Sequence, residues 1–346
     1  MECTWQDGNK TEWTLYHWFY ELLGLHPVPR LDMGANKQPT AESSAQQKVS
    51  YVHTGSIYCW VTLHGLMPIF LHQIYLSLWS SGVNLNLWQT YILYAICLNI
   101  STIRGQRHLR HLVTRTGFLG GDACERDTIP DNGVKRLAQS LVLVLWFRPL
   151  LIILAGFQQD NLPRDCRWIG LPFMAGLYAL ILDFWFYWFH RLMHNISFLR
   201  KHHKLHHLSR RPTILLSVYL NDSELFLDHF LVPLLTYHSL KAIGLSLSFN
   251  EWWVCNWQIL FVEMTGHSGM RAYASAPNIF NPLLRWINCE LIIEDHDLHH
   301  RMGYKNSGNF GKQTLVWDTL FGTRKDRIEC RTESIDWDSP IMLPVL

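Results

Sequence analysis

The chain has 346 residues, enough for one large domain or two ordinary ones. Charged residues make up 17%, against roughly 25% in soluble proteins, and 16 tryptophans accompany several apolar runs near bilayer length; the class is an integral membrane protein. A formal charge of +2 implies no nucleic-acid partner, and eight scattered cysteines without a CxxC pair support neither a disulfide scaffold nor a Cys/His zinc module.

Residues 1–50 are polar and lack a hydrophobic signal region, so a tail rather than a cleaved leader is expected. Within it TEWTLYHWFYELLGL, 11–25, spaces Trp13, Leu15, Trp18 and Leu22 or Leu23 as a helix does, which suits a membrane interface or a packing surface. Residues 37–49 read as a linker. The first spanning candidate is 57–79 and the second 85–100, joined by a short turn into a hairpin. His64 and His72 are eight apart and share a face. A haem-binding or metal-transporting role would use them as a pair, but no matching pair stands in the next run, so they read as internally bonded. RGQRHLRHLVTR, 104–115, follows directly and is cytosolic by the positive-inside rule.

The third span is 137–157 and the fourth 169–189. Lys135 and Arg136 precede this second hairpin. Arg191, Arg200, Lys201, Lys204, Arg210 and Arg211 follow it, so what comes next faces the cytosol. Two charges fall inside these spans, Arg148 and Asp183, and intramembrane charge demands a partner. Asp183 lies seven residues before His190 on the same helical face. It is expected either to bond the far nitrogen of a ligand histidine or to pair with Arg148.

The chemistry concentrates from Asp183 to His207, which holds six histidines. His190 and His194 are four apart and share a helix face. His203, His206 and His207 repeat on one face at i, i+3, i+4, whereas His202 lies about 100° round from His203 and is the weakest candidate. Far downstream, His296, His299 and His300 (HDLHH) repeat that spacing. Neutral imidazoles suit iron, zinc or copper, and eight in three clusters are too many for one tetrahedral ion, so two metals are expected. Between the clusters, 214–265 is apolar and fits two further spans or a hairpin dipping into the membrane; the number of crossings must be even. His229 and His238 read as structural.

HRLMH at 190–194, HKLHH at 203–207, GHSG at 266–269, HDLHH at 296–300 and the tail NFGKQTLVWDTLFGT, 309–323, resemble the fatty acid hydroxylase and sterol desaturase superfamily. The resemblance covers roughly 138–325. It implies an all-α membrane protein with four spanning helices in two hairpins beneath a cytosolic helical cap, which favours 214–265 as a re-entrant or interfacial part. It also implies His267 as an additional ligand, with Gly266 and Gly269 allowing a bend beside it. The domain organisation expected is a tail at 1–50, a first hairpin and basic loop at 51–136, a catalytic unit at 137–325 and a tail at 326–346. One departure stands out: LNDSE, 220–224, carries Asp222 where relatives place a histidine.

The activity implied is oxygen-dependent hydroxylation of an unactivated C–H, or desaturation, at two iron ions with dioxygen as co-substrate; zinc would fit the same ligands but is redox-inert. Aldehyde decarbonylation on the same metal pair is a variant. Substrates would be lipid-like: a sterol, a sphingoid base, a fatty acyl chain, or a terpenoid or polyketide intermediate. No haem-carrier, flavin or nicotinamide fingerprint is present, so electrons are expected from cytochrome b5 and an NAD(P)H-dependent reductase. The basic stretches at 104–115 and 200–211 offer an acidic carrier a docking face. The expected location is the endoplasmic reticulum, with the metal site toward the cytosol.

Overall fold

A computed structural model describes residues 3–25, 48–80, 83–121 and 126–344. Most of the expected linker, 37–47, lies outside the described residues. The first helix, α1 (Leu15–Leu23), ends on Gly24 at φ 61°. Its closing carbonyls, of Leu23 and Gly24, accept hydrogen bonds from Arg107 (2.6 Å) and Arg110 (3.1 Å), so the basic stretch anchors the N-terminal helix. A short strand, β1 (Val49–Val52), leads into α2 (Thr54–Leu78). Next, α3 (Leu87–Thr116) opens on a reciprocal cap: Asn86 accepts from the Gln89 N–H and Gln89 from the Asn86 N–H, both at 3.0 Å. It does not stop near residue 100 but runs through RGQRHLRHLVTR, because Leu109, Leu112 and Val113 keep one face apolar and buried.

Two further long helices follow, α4 (Asp131–Gly156), with a π turn at Leu143–Phe147, and α5 (Leu171–Asn195). Of these elements α2, α4 and α5 are long and apolar enough to cross a membrane; α3 is as long but more polar. The chain then narrows to α6 (Ser197–His203) and a 3-10 turn, His206–Leu208.

The stretch 214–265 forms a helical pair: α7 (222–242), interrupted by a π turn at Leu227–Leu231, and α8 (Phe249–Gly266). The second helix is no peripheral segment. Every residue from Phe249 to Met264 is buried, and α8 packs against α2, α3, α4 and α5 together. Its polar side chains bond inside the bundle: Asn250 accepts from Tyr94 (3.0 Å) and Asn256 from Arg148 (3.0 Å). Arg148 therefore finds its partner on α8 rather than in Asp183.

The turns between these helices gather at one end. Asn84 donates to the carbonyls of Gln159 (2.7 Å) and Asn161 (3.1 Å), and Arg167 pairs with Glu251 (2.7 Å) at the start of α8. Beside the first turns of α5, where Phe280 meets Phe173 (5.5 Å), lies α9 (Asn281–Trp286), whereas the opposite end carries α10 (Ile293–Arg301), α11 (Val316–Leu320) and β2 (Ile335–Ile341). There β1 and β2 pair in parallel, Val49 opposite Ile335 and Val52 opposite Ile341, with a bulge between Ser50 and Tyr51. One hydrophobic core extends from Trp5 to Leu343, so both ends of the described chain are tied to the histidine-bearing end.

Candidate metal centre

Nine imidazoles converge at that end in two adjoining groups. His190, His194, His203, His207 and His299 form one; His206, His267, His296 and His300 form the other. The two HxxHH boxes are used in opposite senses. In HKLHH the i, i+4 pair, His203 and His207, serves the five-imidazole group while His206 serves the four. In HDLHH the pair His296 and His300 serves the four while His299 serves the five. The expected single face of HKLHH is thus divided between two centres. α6 stops at His203, and the tighter 3-10 turn re-aims His206. His267 caps the C-terminus of α8, and Gly269, at φ 61°, makes the sharp bend beside it; a Cβ there would collide with the Arg126 guanidinium.

The ring protons are fixed by what the outer nitrogens touch. Nδ1 of His190 lies 2.8 Å from the Phe310 carbonyl, His194 3.0 Å from that of Tyr304, His267 2.9 Å from that of Glu263, His299 2.7 Å from that of Gly308 and His300 3.1 Å from that of Ser209. A carbonyl only accepts, so each Nδ1 carries the proton and each Nε2 presents a lone pair. His203 Nδ1 meets the carboxylate of Glu224 to the same effect.

Those Nε2 atoms face one another. His190 and His203 are 2.9 Å apart, His194 and His207 3.1 Å, His299 and His207 2.9 Å, His296 and His267 3.1 Å, and His267 and His206 3.4 Å. The His300 Nε2 is buried with no protein partner. His190 and His203 both present lone pairs, and lone pairs held this close repel unless a cation lies among them. With metal–nitrogen bonds of about 2.1 Å, two ligands sit about 3.0 Å apart at a right angle and about 3.4 Å apart at the tetrahedral angle. The observed separations match both edges, so the residues present fit metal ions.

Burial keeps the rings neutral. The imidazoles of His203, His206, His207, His296, His299 and His300 titrate well below the ordinary histidine value, first because burial penalises the charged form and then because neighbouring imidazoles repel a proton. His267 is lowered by burial against the pull of Glu263.

Several supporting residues give no spacing signal in the sequence. The loop 304–310 supplies three of the carbonyls above. It is gripped by Asp318, which accepts the N–H groups of Phe310 (2.8 Å) and Gly311 (2.7 Å). Asp183 does neither of the two things expected of it. It touches no histidine and not Arg148, but accepts the N–H groups of Lys312 (2.7 Å), Gln313 (3.0 Å) and Thr314 (3.1 Å) and the Thr314 hydroxyl (2.7 Å). It therefore positions the loop whose Phe310 carbonyl orients His190. Glu224 lies two residues beyond Asp222, which points outward and pairs with Arg136 (2.7 Å).

The other histidines singled out in the sequence stand apart from both groups. His202 bonds the Ser223 hydroxyl (2.6 Å), His229 is buried beside Asp228, and His238 is exposed. His64 and His72 do not form a haem ligand pair: His72 has its Nε2 engaged by the Asn84 side chain (2.7 Å), and His64, bonded through Nδ1 to the Trp60 carbonyl (2.9 Å), stacks on the Trp60 ring (4.0 Å).

A mostly helical chain with membrane-length apolar helices and two buried groups of imidazoles that could hold metal defines a membrane protein with candidate metal sites. The particular family follows from comparison. Residues 175–323 match the fatty acid hydroxylase family. The chain is 35% identical over 299 residues to the fatty acid hydroxylase vlmA of Lecanicillium sp, covering 82% of this chain and 80% of that one. It is 33% identical over 231 residues to methylsterol monooxygenase 2-1 of Arabidopsis thaliana, covering 61% and 79%. It is 34% identical over 174 residues to the very-long-chain aldehyde decarbonylase GL1-11 of Oryza sativa subsp. japonica, covering 49% and 58%. No solved structure matches. The chain belongs to the fatty acid hydroxylase family and is an oxygenase of the hydroxylase and monooxygenase kind.

Proposed function

We propose that this chain is a diiron monooxygenase that hydroxylates an unactivated C–H bond of a lipid-like substrate. The observation that carries the reading is the convergence of neutral imidazoles, lone pairs inward, into a group of five and a group of four. His190, His194, His203, His207 and His299 would hold one iron, and His206, His267, His296 and His300 the other. Two bound irons supply the redox chemistry that couples dioxygen reduction to insertion of one oxygen atom into C–H. The chain's own residues hold the ligand rings in the correct tautomer, keep them neutral near pH 7 and exclude bulk water. The names of the relatives support the reaction class. Substrate candidates are a sterol, a sphingoid base, a fatty acyl chain, or a terpenoid or polyketide intermediate.

The catalytic unit is assigned to 137–325, with 51–136 as a supporting hairpin and loop and tails at 1–50 and 326–346. The four crossings are assigned to α2, α3, α4 and α5, in two hairpins, with the α7–α8 pair standing among them. In support, the turns gather at the end remote from the histidines. Arg191, Arg200, Lys201, Lys204, Arg210 and Arg211 lie at the histidine end in the sequence, which favours a cytosolic cap on the endoplasmic reticulum. The same basic residues suit docking of cytochrome b5, itself fed by an NAD(P)H-dependent reductase. Desaturation or aldehyde decarbonylation on the same metals is the second reading, favoured by the rice relative's name.

The test compares metabolites of cells with and without the chain under labelled dioxygen. A new lipid product carrying one labelled oxygen is the expected result. A product with an added double bond and no label would replace hydroxylation with desaturation.

A further inference from the structure

A small cavity reaches the four-imidazole group beside His267 and His296. Most of its wall is apolar: Val262 from α8, then Ala274 and Ala276 facing Leu291 and Ile293. Glu263 and Lys312, which are paired with each other (3.1 Å), complete the lining. The runs 274–276 and 291–293 are laced together. The Ala276 N–H donates to the Leu291 carbonyl (3.0 Å) and the Ile293 N–H to that of Ala274 (3.3 Å). Asn281 holds the Ala276 carbonyl (2.7 Å) and Gln258 that of Pro277 (2.8 Å).

The segment joining these runs carries α9, and its tip is open and largely apolar, with one charge, Arg285 (52% exposed), held by Glu290 (2.7 Å). Ile279, Leu283, Trp286 and Ile287 are 49%, 52%, 82% and 44% exposed. Phe280 packs edge-to-face on Phe173 (5.5 Å), in the first turn of the membrane-length helix α5. Exposed aliphatic side chains and an indole, continuous with the flank of such a helix, form a surface for lipid rather than water.

We propose that the 274–293 hairpin lies against the bilayer as a side gate, and that an unbranched alkyl chain passes from the lipid, past α9, between the two alanines and Val262, to the four-imidazole group. This deepens the oxygenase reading and rests on it. The cavity holds about 20 Å³, roughly the space of one water. A slender chain is admitted by rotating Val262, Leu291 and Ile293. A fused ring system would have to part the laced backbone, which side-chain rotation cannot do. The small methyl groups of Ala274 and Ala276 set the bore.

The test uses the full metal-loaded chain in phosphatidylcholine vesicles. The probes are a 16-carbon fatty acid bearing a photoreactive diazirine and a sterol bearing the same group, with labelled peptides mapped by mass spectrometry. The fatty acid is expected to label both the 279–287 tip and the inner wall at 274–276, 291–293 or Val262; the sterol is expected to label the tip alone. Ala276→Trp should cut the inner label at least tenfold with tip label and metal content kept. If that variant loses metal, Ala276→Leu should cut the inner label several-fold. Fatty acid labelling of α2, α4 and α5 but not of 274–293 would overturn the gate, as would equal sterol labelling of the inner wall or an inner label indifferent to both variants. Labelling needs no turnover. Intact labelling without any oxygenated product would therefore refute the oxygenase reading and leave the gate standing.

Discussion

The two imidazole groups are built from the same side chain but supported differently. In the group of five, His190, His194 and His299 lean on carbonyls of one loop, 304–310, and His203 on Glu224. That loop is fixed in turn by Asp183 and Asp318. In the group of four, His267 leans on its own helix and His300 on Ser209, while the outer nitrogens of His206 and His296 have no protein partner; in the five, the same holds of His207 alone. The cavity also opens on this second group. The contrast assigns the more fully supported centre to the five and the centre beside the cavity to the four. Because each HxxHH box contributes to both, neither centre can shift without the other.

The contrast can be broken at its strongest point first. His299→Ala should empty the five-imidazole site and lower oxygenation by more than about a hundredfold, beyond what losing a mere supporting contact costs. Metal analysis and turnover measured together check this, and an unchanged metal content would contradict it. Next in size are the supports. Glu224→Gln and Asp318→Asn should each weaken metal at the five-imidazole site by roughly 10–100-fold while sparing the four. Titration with a chelator, followed by metal analysis, separates the two sites.

Acid should weaken the metal-free protein. Its buried histidines resist protonation, whereas the unfolded chain takes up protons below about pH 6.5. The unfolded state then binds more protons, so stability is full above pH 7 and falls as pH drops through 6.5. The slope is up to about 1.4 kcal/mol per pH unit for each imidazole involved. Thermal unfolding in detergent between pH 5 and 8 should show this slope, and a flat profile would mean that the rings take up protons in the fold as readily as in the unfolded chain. The smallest effect is expected at Asp222→Ala. Its carboxylate is 83% exposed and paired only with Arg136, so the change should cost less than about 1 kcal/mol and no metal.

Much of this architecture is legible in the residues. Histidine spacing alone identifies all the members of both groups except His267, which comes from the resemblance of its GHSG setting. Apolar runs mark α2, α4 and α5 with ends up to six residues off. The division of the boxes between two centres is not legible, because it depends on where α6 gives way to a 3-10 turn, and helical spacing assumes no such break. The path of α3 past residue 100 is masked by its charges, although its buried face continues. Asp183 illustrates a different limit. An acid on the same helical face as a histidine suggests a direct bond, yet a carboxylate equally satisfies three backbone N–H groups, and those come from 129–131 residues downstream. Supporting carbonyls carry no side-chain signature at all, so Ser209, Tyr304, Gly308 and Phe310 emerge only from the fold.

The most direct test of two adjoining centres is the metal stoichiometry of the purified full-length chain, set beside that of His299→Ala and His296→Ala. Two irons per chain, with at least one lost in each variant, is the result this structure predicts. One metal per chain in the unaltered protein, or variants that keep the full complement, would contradict it.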